Sequence, residues 1–185
     1  MSPILGSKGS LSASAYGFTS SIALDSYDSI ATLAGTGASG TISFTSIPQT
    51  YTHLQLRVYG GVATTATSSS NLQFNNDSTA ANYATHFLYG NGASAAAGGG
   101  TSTLYGIYVN GISSAPSATI IDILDYTNTN KNKVSRSLNG YDANGSGVVN
   151  LLSGLWLSTA AITRLDIVAG QNWGTYSSFA LYGIK

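Results

Sequence analysis

From Tyr51 to Tyr59 apolar and polar side chains alternate without a break. Leu54, Leu56 and Val58 fall on one side, and His53, Gln55, Arg57 and Tyr59 on the other. A period of two sustained over nine residues fits a half-buried β-strand and not a helix. The final stretch repeats the pattern, with Phe179, Leu181 and Gly183 alternating with Ala180, Tyr182 and Ile184. It predicts a last strand tied into a sheet up to Lys185, where most domains leave their ends frayed. Shorter signals of the same kind recur between Gly, Asn and Ser turns. They predict strands over 28–34, 40–46, 51–60, 70–75, 83–90, 104–110, 117–126, 133–139, 148–157, 162–169 and 176–184. Val, Ile, Thr and Tyr dominate these stretches and favour the pleated sheet. One interval breaks the rhythm. Residues 93–103, Ala-Ser-Ala-Ala-Ala-Gly-Gly-Gly-Thr-Ser-Thr, are low in complexity and read as a flexible surface loop.

Many short strands at regular spacing, with no helical period between them, predict an all-β protein, a jelly-roll-like β-sandwich. Leu54, Leu56, Val58, Ile121, Ile123, Leu165, Ile167, Phe179 and Leu181 are expected in its core, together with Trp156. A chain of 185 residues suits one such domain, placed over residues 27–185. Residues 1–26 read differently, because isolated apolar residues stand among Ser, Gly and Ala with no sustained period. They are expected to be an extended docking arm that orders on a partner through Ile4, Leu5, Leu11, Tyr16 and Phe18.

Charge changes the functional picture more than length does. Only 8% of residues are charged, the acids are all aspartate, and the formal net charge is zero. Nucleic acid as a partner is disfavoured, since it calls for a basic field. Solubility is not maintained by repulsion either, which suits a protein that lives in an assembly. The absence of cysteine excludes disulfides and cysteine-ligated zinc. No apolar run approaches about 18 residues, so no membrane-spanning helix is expected, and the first residues do not form a secretory leader.

Candidate chemistry is sparse. His53 and His86, the only histidines, sit on strand faces with polar neighbours and lack metal-ligand spacing. Asp122 and Asp125 lie in Ile120-Ile-Asp-Ile-Leu-Asp-Tyr126. Asp122 is expected to accept hydrogen bonds from a neighbouring strand or from Arg136. A glycosidase pair lacks its usual glutamate. Residues 142–147, Asp-Ala-Asn-Gly-Ser-Gly, resemble a calcium loop only superficially and read as an Asn-Gly turn. Lys131, Lys133 and Arg136 read as a solvated hairpin flank. Of the two tryptophans, Trp173 falls in a predicted loop and is the candidate for stacking on a sugar. No catalytic residue, metal or cofactor is assigned.

Several stretches together resemble a family of short phage structural proteins, many from phages of aquatic bacteria. They include Ser46-Ile-Pro-Gln-Thr-Tyr-Thr-His-Leu-Gln-Leu-Arg57, Leu72-Gln-Phe-Asn-Asn-Asp77, and Asn82-Tyr-Ala-Thr-His-Phe-Leu-Tyr-Gly-Asn-Gly92. Ile121-Asp-Ile-Leu-Asp-Tyr-Thr-Asn-Thr-Asn-Lys131, Arg136-Ser-Leu-Asn-Gly-Tyr-Asp142, Gly154-Leu-Trp156 and the closing 176–185 follow in order. The likeness spans roughly 28–185, and Pro3-Ile-Leu-Gly6 is also similar to the starts of such proteins. It implies a virion component on the particle surface: a tail or baseplate fibre or adhesin head, or alternatively a capsid decoration protein that stabilises the head shell. The partners then expected are other virion proteins (tail, baseplate or major capsid protein), further copies in a homotrimer, and a host surface glycan.

Overall fold

The computed structural model describes residues 26–63, 68–101, 105–109 (backbone) and 115–185. Within them the chain forms β1 (Tyr27–Ala34), β2 (Thr41–Phe44), β3 (His53–Gly60), β4 (Ser68–Phe74), β5 (Tyr83–Gly90) and β6 (Ala95–Thr101). It continues through β7 (Tyr105–Val109), β8 (Ser117–Leu124), β9 (Lys133–Asp142), β10 (Gly147–Trp156), β11 (Leu165–Ala169) and β12 (Ser178–Ile184). The only helical turn among these residues is a 3₁₀ turn at Ala80–Asn82.

The pairing is nested. β1 pairs with β12, β2 with β11, β3 with β8 and β4 with β7, all antiparallel. This is one long hairpin rolled up, and the roll adds the contacts β12 with β3 and β11 with β4. The result is a jelly roll, a double-sheet solution to the edge-strand problem. Two inserted hairpins then widen one sheet. β5–β6 enters between β4 and β7, β9–β10 enters between β8 and β11, and the two hairpins pair side by side. The large sheet therefore has eight strands in the order β1-β12-β3-β8-β9-β10-β5-β6, against four in β2-β11-β4-β7.

The core lies where the sheets overlap. Leu54, Leu56, Val58, Ile121, Ile123, Phe179 and Leu181 from the large sheet meet Ile42, Phe44, Leu72, Phe74, Leu165 and Ile167 from the small one. All nine core residues expected from the alternation are buried, as is Trp156. The last strand shows the predicted faces, with Phe179, Leu181 and Gly183 buried between half-buried neighbours.

Eleven of the predicted strands are present, and the twelfth is a correction. Ala95–Thr101 is not a loop but strand β6, at the edge of the large sheet. Two of its three glycines lie under aromatic rings of β5. A Cβ at Gly98 would stand 2.6 Å from the Phe87 ring, and one at Gly99 would stand 2.5 Å from the His86 ring. Each ring covers the glycine opposite it in register, supplying the cross-strand packing that glycine lacks. Residues 1–25 of the expected docking arm, with Ile4, Leu5, Leu11, Tyr16 and Phe18, lie outside the described residues.

Candidate functional site

Where β7 of the small sheet approaches β9 and β10 of the large one, the usual arrangement inverts. On β9 the inward positions are polar, with Lys133, Ser135, Ser137 and Asn139 all buried, while Val134 and Leu138 point out and are exposed. Outward positions of neighbouring strands line up in rows. Ile120, Leu138, Leu151 and Leu88 are successive register partners across β8, β9, β10 and β5, and all four are exposed. A second row runs Leu124, Val134, Leu155 and Ala84. Val149 on β10, Tyr59 on β3 and Tyr27 on β1 extend the same face, and Leu157 continues the alternation just past β10. Among the described residues, every large hydrophobic side chain that is exposed belongs to this one face. Single exposed apolar residues are ordinary, whereas their collection on one contiguous surface marks an interaction site.

Between the apolar rows runs a polar one: Gln55, Asp122, Arg136, Ser153 and His86. Here the expectation for Asp122 holds. Gln55 on the neighbouring strand donates its amide Nε2 to Asp122 Oδ1 at 2.8 Å, and Gln55 Oε1 accepts from Arg57 Nε at 2.8 Å. The Arg57 guanidinium lies 4.7 Å from the Tyr182 ring centre and 5.3 Å from that of Tyr27, so two cation–π contacts fix it. Arg136 stands opposite Asp122 in register and, among the described residues, forms no ion pair with it.

The other sequence candidates are structural or are corrected. His53 Nδ1 accepts the Asp125 backbone N–H at 2.9 Å, which secures the left-handed Asp125 (φ 49°) at the end of β8. The Lys131 ammonium, 2.9 Å from Asp125, holds that carboxyl below the usual carboxylate range. His86 is exposed on the outer face. No group of three His or Asp side chains that could hold a metal occurs among the described residues. Asn144 (φ 59°) and Gly145 (φ 91°) form the expected tight turn between β9 and β10.

Lys133 corrects the reading of a solvated basic flank. It is buried, and its ammonium donates to the carbonyls of Asn128 (2.5 Å), Lys131 (2.9 Å) and Thr159 (3.0 Å). Burial pushes this ammonium below the ordinary lysine value. Trp173 corrects the sugar-stacking candidate. It is fully buried, its ring meeting Phe179 edge-on at 4.8 Å, and its backbone bridges to Val62. No ring face is left for a ligand.

Two features escaped the sequence reading. The first is a knot at Asp77, where Oδ2 accepts from the Trp156 indole and from Asn82, both at 2.8 Å, and Oδ1 accepts from the Thr79 backbone at 2.9 Å. These bonds, the indole foremost, pull the carboxyl down to about 2 against the opposing effect of burial. Tyr83 donates to the Asp77 carbonyl and stacks on Trp156, and burial pushes its phenol up to about 12. The second is a cleft of about 490 Å³ lined by Phe87, Tyr89, Asn91, Asn150, Leu152 and Ser69 among others. Two rings 6.1 Å apart and two amides make it amphipathic. The signal was present as Phe87 and Tyr89 alternating with exposed residues, but only the fold brings β10 beside them.

No protein-family model matches the chain, and no curated protein matches its sequence.

Proposed function

We propose that this chain is a non-enzymatic structural protein of a bacteriophage particle, a jelly-roll module displayed on the particle surface. It is read as the fibre or adhesin head of a tail or baseplate, anchored through residues 1–26. The observation that supports an assembly role is the single apolar face of the large sheet, which a protein partner would cover. The likeness over 28–185 to short phage structural proteins supports the particle as the setting. Three stretches that carry it, ending at Asp77, beginning at Asn82 and ending at Trp156, meet in one hydrogen-bonded knot.

The six aspartates among the described residues favour structure over catalysis. Asp28 pairs with Lys185, Asp77 with Trp156, Asp122 with Gln55, Asp125 with Lys131, and Asp166 with Arg164, while Asp142 accepts from the Gly145 backbone. Glycoside cleavage would need two of them facing a common space. A displayed head would meet a host glycan at the cleft of Phe87, Tyr89, Asn91 and Asn150, where rings and amides stand together. The alternative position is the capsid, as a decoration protein spread over the head shell.

Quantitative mass spectrometry of purified particles tests the reading. Tens of copies or fewer per particle are expected for the tail, and several hundred would move the protein to the head. Absence from washed particles would overturn the virion assignment.

A further inference from the structure

We propose that the outer face of the large sheet is where two copies of this chain pair, sheet on sheet, about a two-fold axis running along the strands between β8 and β9. This pairing goes beyond the particle reading and stands or falls without it.

Three observations carry it. The first is extent. Eight strands about 4.8 Å apart make a face about 38 Å wide, and six residues of each strand cover about 20 Å. The face therefore offers roughly 800 Å² per copy, which is the share of each partner in a standard stable interface. The second is position. The axis divides the order β1-β12-β3-β8 from β9-β10-β5-β6, four strands on each side, so it passes through the middle of the sheet.

The third is self-complementarity. An axis in the plane of the face sets β8 of one copy over β9 of the other at the same height. Asp122 and Arg136 are register partners, so Asp122 meets Arg136 of the partner subunit and Arg136 meets Asp122 of the partner subunit. Two opposite-charge pairs form and no like charges face each other. Asp122 Oδ1 is held by Gln55, which leaves Oδ2 for the guanidinium. By the same operation Ile120 meets Leu138 of the partner subunit and Leu124 meets Val134 of the partner subunit, apolar on apolar. Sheets packed face to face in this way lie about 10 Å apart, as in sandwich interiors. A three-fold ring, expected from the phage likeness, is heterologous and would set this face against a different patch. The complementarity here is of β8 and β9 with themselves across the axis.

The test uses the full chain in solution and needs no phage. Sedimentation velocity and light scattering at about 50 µM should give twice 18.9 kDa. Leu138→Lys, at an exposed position, should keep the β circular dichroism spectrum and weaken the dimer at least tenfold. Asp122→Arg alone places like charges face to face, and so does Arg136→Asp alone, so each should be monomeric while folded. An equimolar mixture of the two variants again sets opposite charges across the axis, and it should recover the dimer. A monomer or trimer of the wild-type chain would overturn the proposal, as would a dimer that survives Leu138→Lys or a mixture that fails to associate. A wild-type monomer that dimerises only after residues 2–24 are removed would assign the face to the chain's own N-terminal segment. One whose face is shielded only on assembled particles would assign it to another particle protein. Either result overturns the pairing of copies.

Discussion

Asp77 accepts the Trp156 indole N–H, the Asn82 amide and the Thr79 backbone N–H, and this one carboxylate joins β10 to the loop between β4 and β5. Its pKa in the fold, about 2, lies below the value near 3.9 of an unfolded chain. A depressed carboxyl contributes stability that is complete above about pH 4 and is lost as pH falls towards 2. The melting temperature should therefore drop over that window, followed through Trp156 and Trp173 fluorescence. Asp77→Asn should melt lower at neutral pH and lose much of the acid dependence; superimposable acid profiles would show that Asp77 is not the group responsible. Residue identities were legible in sequence only where the pattern was regular. Trp156 reads as core within the strand expected over 148–157. Trp173 stands in Gln171-Asn-Trp-Gly174, whose composition signals a loop, and only the bridge to Val62 and the edge of Phe179 draw it inside. Lys133 was read by its charge, but its long apolar stem can lie buried when three turn carbonyls receive the ammonium.

At the scale of the strand, the period of two located eleven elements, because a strand packed on one face must alternate. β6 could not be found that way. Ala and Gly have too little side chain to alternate, and what makes the segment a strand is supplied by Phe87 and His86 across the ladder. β9 was found but its faces were not, since the rule that apolar positions turn inward assumes an apolar interior on the inward side. Beneath β7 that interior is a layer of Ser, Asn and Lys side chains. β12 makes the clearest prediction of this scale. It lies between β1 and β3, paired with both, and places Phe179 and Leu181 in the core. Each of those side chains is worth on the order of 2–5 kcal/mol on truncation. Deleting 179–185 also detaches β1 and exposes the edge of β3, so insoluble or unfolded product is expected. A soluble truncated protein with an unchanged melting temperature would show that the strand is dispensable.

For the whole molecule, the proposed pairing would divide the two faces of the large sheet between folding and association. The inner face closes the jelly roll with the small sheet, and the outer face carries the exposed apolar rows with no net charge on the chain to keep copies apart. If the outer face is occupied by a second copy, the proposed attachment to a particle falls to what remains, and the segment preceding Tyr27 is the proposed anchor. Ile4, Leu5, Leu11, Tyr16 and Phe18 are separated by small residues that let a backbone lie close to a partner. In the proposed anchor, contact with a particle surface would add the burial needed to offset the entropy of ordering a segment with so few apolar groups. Two such segments on one dimer would bind the same surface with an effective concentration far above that of free protein, so the pair should hold where one would release. Deleting residues 2–24 should leave the β spectrum and the melting temperature of the sandwich unchanged and reduce its incorporation into particles at least tenfold. Leu138→Lys, which keeps both segments but separates the copies, should reduce incorporation by a smaller factor, through avidity alone. Incorporation of the deletion variant at the normal level would place the anchor on the sandwich itself, with the cleft and loop rims as the surfaces left to carry it.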